Sequence, residues 1–274
     1  MARPLPVVGG ARPRAAAPPA PGAPAPSLRE WLGAAPFTLA LSGGFFGFFA
    51  HTGLLLALEE AGLRPSRLVG VSAGALAGGL WAAGLEAPRM AEALGALRKQ
   101  DFWDPGLPLG GLIKGRRFVG LLQRHLAAAG LSDRLEATAI PFGAVVHDLL
   151  RRRARLLERG SLPVAIRASC SVPLLFRPVR WGRTLLVDGG VSDRAGLGAV
   201  APGERVLLHH LLPTGIDAAF SSATPGVGRR ECVTISVPAL PRVGPDRLAN
   251  GPRALAQTRD HVARRLASPA RASS

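Results

Sequence analysis

The stretch from Arg67 to Ala75 surrounds a serine with the features that a reactive hydroxyl needs. Its residues read Arg-Leu-Val-Gly-Val-Ser-Ala-Gly-Ala, which predicts an apolar strand, a Gly-X-Ser-X-Gly turn and a helix that begins directly after the turn. A serine on such a turn sits on a sharp, strained bend and presents its hydroxyl at the end of a sheet. Gly70 and Gly74 lack side chains that would collide where the strand and the helix pack closely. Ser72 is therefore the candidate nucleophile.

A second glycine turn, Ser42-Gly43-Gly44, follows an apolar strand predicted from Phe37 to Leu41. A serine that attacks an ester carbonyl needs hydrogen-bond donors for the charge that develops on the carbonyl oxygen. Glycines permit the close approach and the unusual φ values that a pocket of backbone N–H groups requires. We therefore assign the N–H groups of Gly43 and Gly44 to an oxyanion hole, with a tight turn that binds no ligand as the alternative.

A carboxylate is the first candidate for the base that takes the serine proton. Asp188 ends a strand predicted from Thr184 to Val187 and precedes Gly189-Gly190. Its side chain would therefore lie over the same sheet edge with little crowding. The alternative for this residue is a simple Asp-Gly hairpin turn.

A histidine is the competing base. His209 and His210 follow the serine in the chain, as the order of an α/β-hydrolase triad requires. They lie inside an apolar strand predicted from Arg205 to Leu212, which is more typical of core residues than of a base. His51, early in a predicted helix, is expected to pack near the glycine turn. The residues alone leave the choice between carboxylate and imidazole open.

The elements around the two turns bring them together. The strand from Phe37 to Leu41, a helix predicted from His51 to Ala61 and the strand from Arg67 to Val71 have the order and length of a βαβ unit. Its crossover is expected to be right-handed and its strands parallel. Both turns then lie side by side at the carboxyl edge of the sheet, where ligands bind in open α/β sheets.

The rest of the chain continues an α/β pattern. Further helices are predicted at 73–83, 87–99, 116–129, 162–169 and 252–266, and further strands at 140–146, 151–157, 184–187, 205–212 and 232–237. The strand at 151–157 is expected to return antiparallel to the one before it. The loop at 100–115 carries large apolar residues and is interpreted as tucked onto the core, with a lid as the alternative. A loop rich in Gly, Ser and Pro spans 213–228.

The formal net charge of +16 in 274 residues admits two interpretations. One is attraction to anionic surfaces such as phospholipid headgroups. The other, which we favour, is a general bias of composition, because arginine, alanine, glycine and proline are all abundant. No basic stripe with interleaved aromatic residues occurs, which argues against a nucleic-acid-binding module. Cys170 and Cys232 have no metal-ligand spacing, and such sparse cysteine use fits a reducing compartment.

Residues 1–34 are predicted to form a disordered tail and residues 35–274 a single domain. The first 26 residues are rich in proline and alanine, and such a segment buries too little apolar surface to offset its ordering entropy. Prolines interrupt any apolar run of the kind that a signal peptide needs, which favours a cytoplasmic location. A short helix is expected from Ser27 to Leu32, at the end of this tail.

Four motifs occur in an order and at spacings that resemble those of the patatin-like phospholipases. They are Leu41-Ser42-Gly43-Gly44, Gly70-Val71-Ser72-Ala73-Gly74, Ala168-Ser169-Cys170-Ser171-Val172-Pro173 and Asp188-Gly189-Gly190. The resemblance spans about residues 37–190 and implies a three-layer α/β/α fold with a central, mostly parallel sheet. It also implies a Ser–Asp dyad of Ser72 and Asp188 without a metal or other cofactor, and the amides of Gly43 and Gly44 as oxyanion hole. The glycines that support the motif geometry are Gly70, Gly74, Gly189 and Gly190.

The chain departs from the family's glycine loop, which usually reads Gly-Gly-Gly-X-Arg/Lys-Gly. Phe45 stands for the third glycine, Gly47 for the basic residue and Phe48 for the last glycine. The entrance to the site would therefore be more apolar than in the family, so Phe45, Phe46 and Phe48 are candidates for an acyl channel. We expect one of these rings to pack inward and the others to line the channel.

The resemblance implies a serine acyl hydrolase of lipase or phospholipase type that cleaves lipid ester bonds through an acyl-Ser72 intermediate. Its partner would be a lipid or phospholipid ester, reached from the cytoplasm or by peripheral contact with an anionic membrane, and not a nucleic acid. A Ser-His-Asp esterase and a catalytically inactive lipid-binding relative are the alternatives.

A second departure from the family pattern follows the aspartate motif, where Arg194 and Gly196 replace the Asn and Pro that the family often has.

Overall fold

The computed structural model describes residues 25–106, 110–212 and 229–270. The α-helices in these ranges are α1 Leu28–Gly33, α2 Phe48–Glu60, α3 Ala73–Ala83, α4 Ala87–Gly95, α5 Lys99–Phe102, α6 Arg116–Ala128, α7 Leu162–Ser169 and α8 Gly251–Leu266. The strands are β1 Thr38–Leu41, β2 Arg67–Val71, β3 Phe142–Asp148, β4 Arg153–Leu157, β5 Val179–Trp181, β6 Thr184–Asp188, β7 Val206–His209 and β8 Cys232–Ile235. Residues 1–24 of the predicted tail and the predicted loop 213–228 lie outside the described residues.

The described strands form one sheet, in the hydrogen-bonded order β5-β6-β3-β2-β1-β7-β8, with β4 also paired to β3. Strands β3, β2, β1, β7 and β8 are parallel, whereas β4 and β6 are antiparallel to β3, and β5 is antiparallel to β6. β1 and β2 are direct neighbours, with Thr38 opposite Arg67. The predicted parallel pairing of these two strands is therefore confirmed, as is the mixed α/β class with a central, mostly parallel sheet.

The pairing along β3 makes two strand ends meet. β4 pairs with β3 from Ala144 to Asp148. Some of these β3 residues also pair with β2, and the others also pair with β6. A strand has two edges, so β4 occupies one edge while β2 and β6 follow one another along the other. β2 ends opposite Val145, and β6 ends opposite Val146. The carboxyl ends of β2 and β6 therefore meet at the same point of β3.

The two faces of the sheet are covered differently. All eight of the α-helices named above contribute to one hydrophobic cluster with the face that carries Leu39 and Leu41. Side chains alternate between the faces of a strand, so Ala40 and Val69 point to the opposite side. There they pack against residues 195–200, a segment that contains a 3-10 turn. In the described ranges the hydrophobic cluster on this second face consists of strand residues and of this segment.

Helix α1 lies inside the stretch that the sequence assigns to a disordered tail. Ser27 Oγ accepts the N–H of Glu30, and the Glu30 carboxylate accepts the N–H of Ser27, which forms a capping box. Leu28 and Leu32 are buried, and the N–H of Leu28 donates to the carbonyl of Ser268. The domain boundary predicted at residue 34 is therefore wrong, because the folded domain already includes Ser27. The short helix predicted there is confirmed.

The other elements follow the prediction, with some ends shifted. β2, α3 and α7 have the predicted bounds, whereas the helix predicted at 87–99 ends at Gly95 and a separate helix, α5, begins at Lys99. The hairpin of β5 and β6 adds a strand that the sequence did not predict. The apolar run from Phe37 to Leu58 forms β1 and most of α2. Among the described residues no helix is long and apolar enough to cross a membrane.

Candidate active site

Ser72 occupies the bend between β2 and α3. Its φ of 51° and ψ of −116° lie outside the regions that most residues adopt. Gly74 makes the bend possible, because a Cβ there would collide with the backbone carbonyl of Leu41. A Cβ at Gly70 would lie 2.6 Å from the Cα of Ala75, where helix and strand touch. The chain therefore has the predicted strand, turn and helix, with a half-buried serine at the apex.

A second serine ties this turn to the neighbouring strand. Ser169 Oγ accepts the N–H of Ser72 at 2.9 Å and donates to the carbonyl of Val145 at 2.6 Å. Ser169 is completely buried at the end of α7, so its hydroxyl is shielded from water. The motif that contains Ser169 was recognisable in the sequence. Its role was not, because a hydroxyl shared by the turn after β2 and the middle of β3 is a tertiary contact.

Asp188 lies level with Ser72 along the edge of β3. Val71, the last residue of β2, is opposite Val145, so Ser72 follows at the level of Val146. Asp188, the last residue of β6, is opposite Val146. The meeting of the two strand ends therefore brings the two predicted catalytic residues to one place.

The turn after Asp188 fixes its carboxylate against the sheet. Asp188 Oδ1 accepts the N–H of Gly190 at 2.8 Å, and its own N–H donates to the carbonyl of Ser171 at 2.9 Å. A Cβ at Gly189 would collide with the carbonyl oxygen of Val145. Asp188 itself is only 6% exposed. The two glycines thus allow an aspartate to sit buried at the strand junction.

Cys170 adjoins both candidate residues. Its thiol donates to the carbonyl oxygen of Ser72 at 3.1 Å. Burial raises the pKa of the thiol well above its ordinary value, and the negative charge of Asp188 raises it further. Cys170 is therefore a neutral thiol that is held against the Ser72 carbonyl.

The glycine turn lies against the serine turn, as predicted. A Cβ at Gly43 would lie 3.6 Å from the Cβ of Ser72. The N–H of Gly43, however, donates to the carbonyl of Arg194 at 2.8 Å and so fastens the loop. The N–H of Gly44 has no protein acceptor in the part of the chain that the structure describes. Of the two predicted oxyanion donors, Gly44 is therefore the one whose N–H is open, and Gly43 holds the loop instead.

Arg194 and Leu211 hold the glycine turn from outside. Arg194 Nη2 donates to the carbonyl of Leu211 at 3.1 Å, and the N–H of Leu211 donates to Ser42 Oγ at 2.9 Å. The Leu211 side chain fills the space that Gly44 leaves, since a Cβ there would lie 2.6 Å from Leu211 Cδ1. Hydrogen bonds therefore link the glycine turn to Arg194, Arg194 to Leu211, and Leu211 back to the glycine turn. In the sequence Arg194 was visible only as a departure from the family pattern.

The three candidate channel phenylalanines occupy different environments. Phe48 is buried, and its ring centroid lies 4.8 Å from that of Phe49. Phe46 is half-buried, with centroid distances of 5.4 Å to Phe48 and 5.8 Å to Phe102. Phe45 is 39% exposed and stacks edge-on against Phe46 at 4.9 Å. Phe48 therefore belongs to the core, whereas Phe45 reaches solvent at the mouth of the site.

Two buried histidines form a pair beneath the glycine turn. His51 Nε2 lies 2.9 Å from the carbonyl of Ser42, so this nitrogen carries a proton and donates it. His51 Nδ1 then accepts from His209 Nδ1, 2.8 Å away. Burial lowers the pKa of His51 to about 4 and that of His209 well below its usual value, so both rings are neutral. In the described ranges neither His209 nor His210 bonds to a carboxylate, as the base of a Ser-His-Asp triad would.

Fold and site together define an α/β protein with a serine on a Gly-X-Ser-X-Gly turn and an aspartate at the adjoining strand end. The family model described as "Patatin-like phospholipase" matches residues 39–201. The chain therefore belongs to the patatin-like phospholipase family, which is a family of lipid hydrolases.

Several curated proteins are similar to the chain over its central part. An uncharacterized NTE family protein of Mycobacterium bovis is 31% identical over 183 residues, which are 65% of this chain and 49% of that protein. Another, of Mycobacterium tuberculosis, is 33% identical over 160 residues, 57% of this chain and 26% of that protein. Neuropathy target esterase of Drosophila persimilis is 29% identical over 178 residues, 62% of this chain and 12% of that protein. The chain spans about half the length of the first relative and less of the others.

Among solved structures, VipD from Legionella pneumophila has a similar fold. The TM-score is 0.62 at 15% sequence identity, and the match covers 84% of this chain and 66% of that one. At this identity the likeness concerns the fold alone. It agrees with the central, mostly parallel sheet described above.

Proposed function

We propose that the chain is a serine acyl hydrolase that cleaves lipid esters, with Ser72 as nucleophile and Asp188 as general base. The observation that carries the proposal is the meeting of β2 and β6 on β3, which puts Ser72 on its strained turn level with Asp188. Membership of the patatin-like phospholipase family supports a lipid ester as the substrate. The name of the Drosophila relative, an esterase, supports the same class of reaction.

In the acylation half of the reaction, the Asp188 carboxylate accepts the Ser72 hydroxyl proton as Oγ attacks the ester carbonyl carbon. The carbonyl oxygen becomes negatively charged and is stabilised by the N–H of Gly44. The bond from the carbonyl carbon to the alcohol oxygen then breaks, and the leaving alcohol takes the proton from Asp188. The product that remains is an acyl-Ser72 ester.

In the deacylation half, water replaces the alcohol. Asp188 takes a proton from the water molecule as its oxygen attacks the acyl carbon, and the N–H of Gly44 again binds the charged oxygen. The bond between the acyl carbon and Ser72 Oγ breaks, and Oγ recovers the proton from Asp188. The fatty acid leaves and both residues return to their starting states.

Burial supports the role of Asp188 as a base. An aspartate in water is a weak proton acceptor at neutral pH. Asp188 is 6% exposed, so its carboxylate meets the Ser72 proton with little competing water. The hydrogen bond from Gly190 to Oδ1 orients the carboxylate at the same time.

Hydrolysis of p-nitrophenyl butyrate by single variants tests the proposal. Ser72→Ala and Asp188→Asn should each lower kcat/KM by about a thousandfold or more, because one removes the nucleophile and the other the proton acceptor. Asp193→Asn is the matched control, since Asp193 lies in the same loop and its carboxylate accepts the N–H groups of Gly196 and Gly198. It should keep most of the activity.

The same assay separates the alternatives. His210→Asn should retain substantial activity, and melting temperatures check that every variant is folded. An active Asp188→Asn together with an inactive His210→Asn would favour a Ser-His-Asp triad. A folded chain that hydrolyses no ester at all would favour a lipid-binding protein without catalysis.

A further inference from the structure

Eight large apolar side chains are exposed among the described residues. We call them the apolar rim, which consists of Phe45, Leu112, Leu149, Leu150, Leu174, Leu185, Val191 and Leu212. None of them lies on an α-helix or at the amino edge of the parallel strands. Single exposed apolar residues are normal on a protein surface, whereas several that lie close together need a reason.

The strand connections place the apolar rim around the candidate site. Phe45 follows β1, Leu212 follows β7 and Val191 follows Asp188, so all three lie near the ends of strands that form the site. Leu149 begins the turn after β3, and its N–H donates to the carbonyl of Leu185 on β6 at 3.0 Å. The hairpin turns after β3 and after β5 therefore project beyond the edge at which Ser72 sits.

Leu174 is the most exposed member of the apolar rim. Its side chain is 86% exposed, and its φ of 69° is a left-handed conformation that is unfavourable for leucine. The carbonyl of Leu174 accepts the N–H of Leu112, which is 53% exposed. The fold thus holds two leucines in water beside the segment that leads to Ser171, the hydrogen-bond partner of Asp188.

Arginines accompany the leucines on the two hairpin turns. A groove of about 660 Å³ lies between the turns, lined by Leu150, Arg151, Trp181 and Arg183 among others. Arg151 pairs with the buried Asp148 at 2.9 Å. The exposed residues Arg152, Arg153 and Arg183 form no ion pair with a carboxylate in the described ranges. Uncompensated positive charge therefore stands next to exposed apolar side chains.

We propose that the apolar rim and the arginines of its two hairpin turns dock the chain on an anionic phospholipid bilayer. Guanidinium groups bind headgroup phosphates, while leucines at the same height enter the region of the acyl chains. A nucleic acid would engage the arginines but would leave the leucines in water. The docking surface is inferred from its own side chains. It rests on the proposed function only for its purpose, because the bilayer would then supply the ester to Ser72.

Binding to vesicles of ether-linked lipids tests the docking surface without hydrolysis, because such lipids contain no ester bond. The full chain should sediment with vesicles that contain phosphatidylglycerol about tenfold more strongly than with phosphatidylcholine alone, and added salt should weaken the binding. The double variants Leu149→Ser with Leu150→Ser and Arg153→Ser with Arg183→Ser should each bind about tenfold more weakly.

A matched pair of arginines controls for total charge. Arg253→Ser with Arg264→Ser removes the same charge from exposed positions on α8, in the helical layer, and should change binding less than about twofold. Leu174→Ser gives an independent test of the apolar contribution, and melting temperatures show whether each variant is folded. Equal losses in the hairpin and α8 variants would overturn the proposal, as would binding that ignores phosphatidylglycerol. No binding to any vesicle would overturn it too and would indicate another occupant for the rim.

Hydrolysis of a soluble ester distinguishes a failure of this proposal from a failure of the proposed function. The hairpin variants should hydrolyse p-nitrophenyl butyrate like the unmodified chain, because none of these side chains belongs to the candidate site. If the unmodified chain hydrolysed nothing yet bound anionic vesicles through the rim, the hydrolase assignment would fail and the docking surface would stand.

Discussion

Ser72 is held in an unfavourable backbone conformation by its neighbours. A positive φ at a residue other than glycine costs about 1–3 kcal/mol and persists only where the surroundings impose it. Here the surroundings are the Ser169 hydroxyl, which holds the Ser72 N–H, and the Cys170 thiol, which holds its carbonyl. The conformation places Ser72 at the end of β2, against the glycine turn and level with Asp188 along β3.

Arg194 is expected to act on catalysis through the loop that it holds. Arg194→Met should lower kcat by about ten- to a hundredfold with a smaller change in KM, because a displaced Gly44 N–H stabilises the charged oxygen less well. Arg194→Lys should recover part of the loss, since an ammonium group can still reach the Leu211 carbonyl. Steady-state kinetics on p-nitrophenyl butyrate measures both effects.

The matched control for this prediction is Arg229→Met. Arg229 also donates to backbone carbonyls, those of Leu197 and Val200, but these lie in the segment that covers the other face of the sheet. It should leave kcat nearly unchanged. The positioning role of Arg194 would be refuted by equal losses in the two variants or by an unaltered kcat in Arg194→Met.

The elements that carry the site were largely predictable, but the way in which they meet was not. The apolar strand, glycine turn and helix around Ser72 are local patterns, and the bounds of β2 and α3 agree with them. The antiparallel pairing of β6 with β3 depends on register between distant residues, which local pattern does not reveal. In the same way, the spacing of Ser42-Gly43-Gly44 predicted two amide donors, but the bond from Gly43 to Arg194 is a tertiary contact.

The glycine loop is expected to set a preference for acyl chain length through Phe45. We expect kcat/KM to rise from acetate to medium-chain esters, by up to about fourfold per carbon until the channel is full. Phe45→Ala should flatten this profile, because it removes the exposed ring at the mouth. Hydrolysis of a series of p-nitrophenyl esters measures the profile.

Phe48 provides the contrast within the same loop. It is buried in the core, so Phe48→Ala should lower the free energy of unfolding by about 3–5 kcal/mol. The chain-length preference of the protein that remains folded should persist. A profile that is flat or falls from acetate onward in the unmodified chain would show that the phenylalanines serve packing alone.

For the whole molecule, the buried histidines predict a loss of stability on mild acidification. Burial lowers the pKa of His51 and of His210 from the usual 6.5 to about 4, so between these values the unfolded chain binds protons that the native chain does not. The free energy of unfolding should therefore be at its full value above about pH 7 and decline as the pH falls toward 5. Over the whole interval from 6.5 to about 4, the shift of the His51 pKa alone corresponds to a loss of about 3 kcal/mol in the free energy of unfolding.

Urea unfolding at a series of pH values measures this decline. Lowered carboxylate pKa values do not interfere, because hydrogen bonds hold the pKa of Glu136 at about 2 and that of Asp148 below its usual range. Their contribution is lost as the pH falls through and below their ordinary pKa values of 4.5 and 3.8, which lie under the interval from pH 7 to pH 5. His210→Asn should make the decline shallower. A free energy of unfolding that stays constant from pH 7 to pH 5 would contradict the neutral, buried state of these rings.

The distribution of charge and apolar surface also belongs to the whole molecule. The net charge of +16 alone does not distinguish a biased composition from a function, and the sequence favoured the former. The structure adds that uncompensated arginines and exposed leucines share the edge of the sheet that carries Ser72. This information is absent from composition, because it depends on which strand ends and turns come together.

Labelling with a fluorophosphonate tests the central claim most directly, because the reagent reacts with an activated serine whatever the natural substrate is. We predict one covalent adduct, located by mass spectrometry on Ser72, that is lost in Ser72→Ala and forms much more slowly in Asp188→Asn. Labelling of the Asp193→Asn control should proceed at nearly the unmodified rate. An adduct on another serine, or none on well-folded protein, would contradict the assignment of Ser72 as an activated nucleophile.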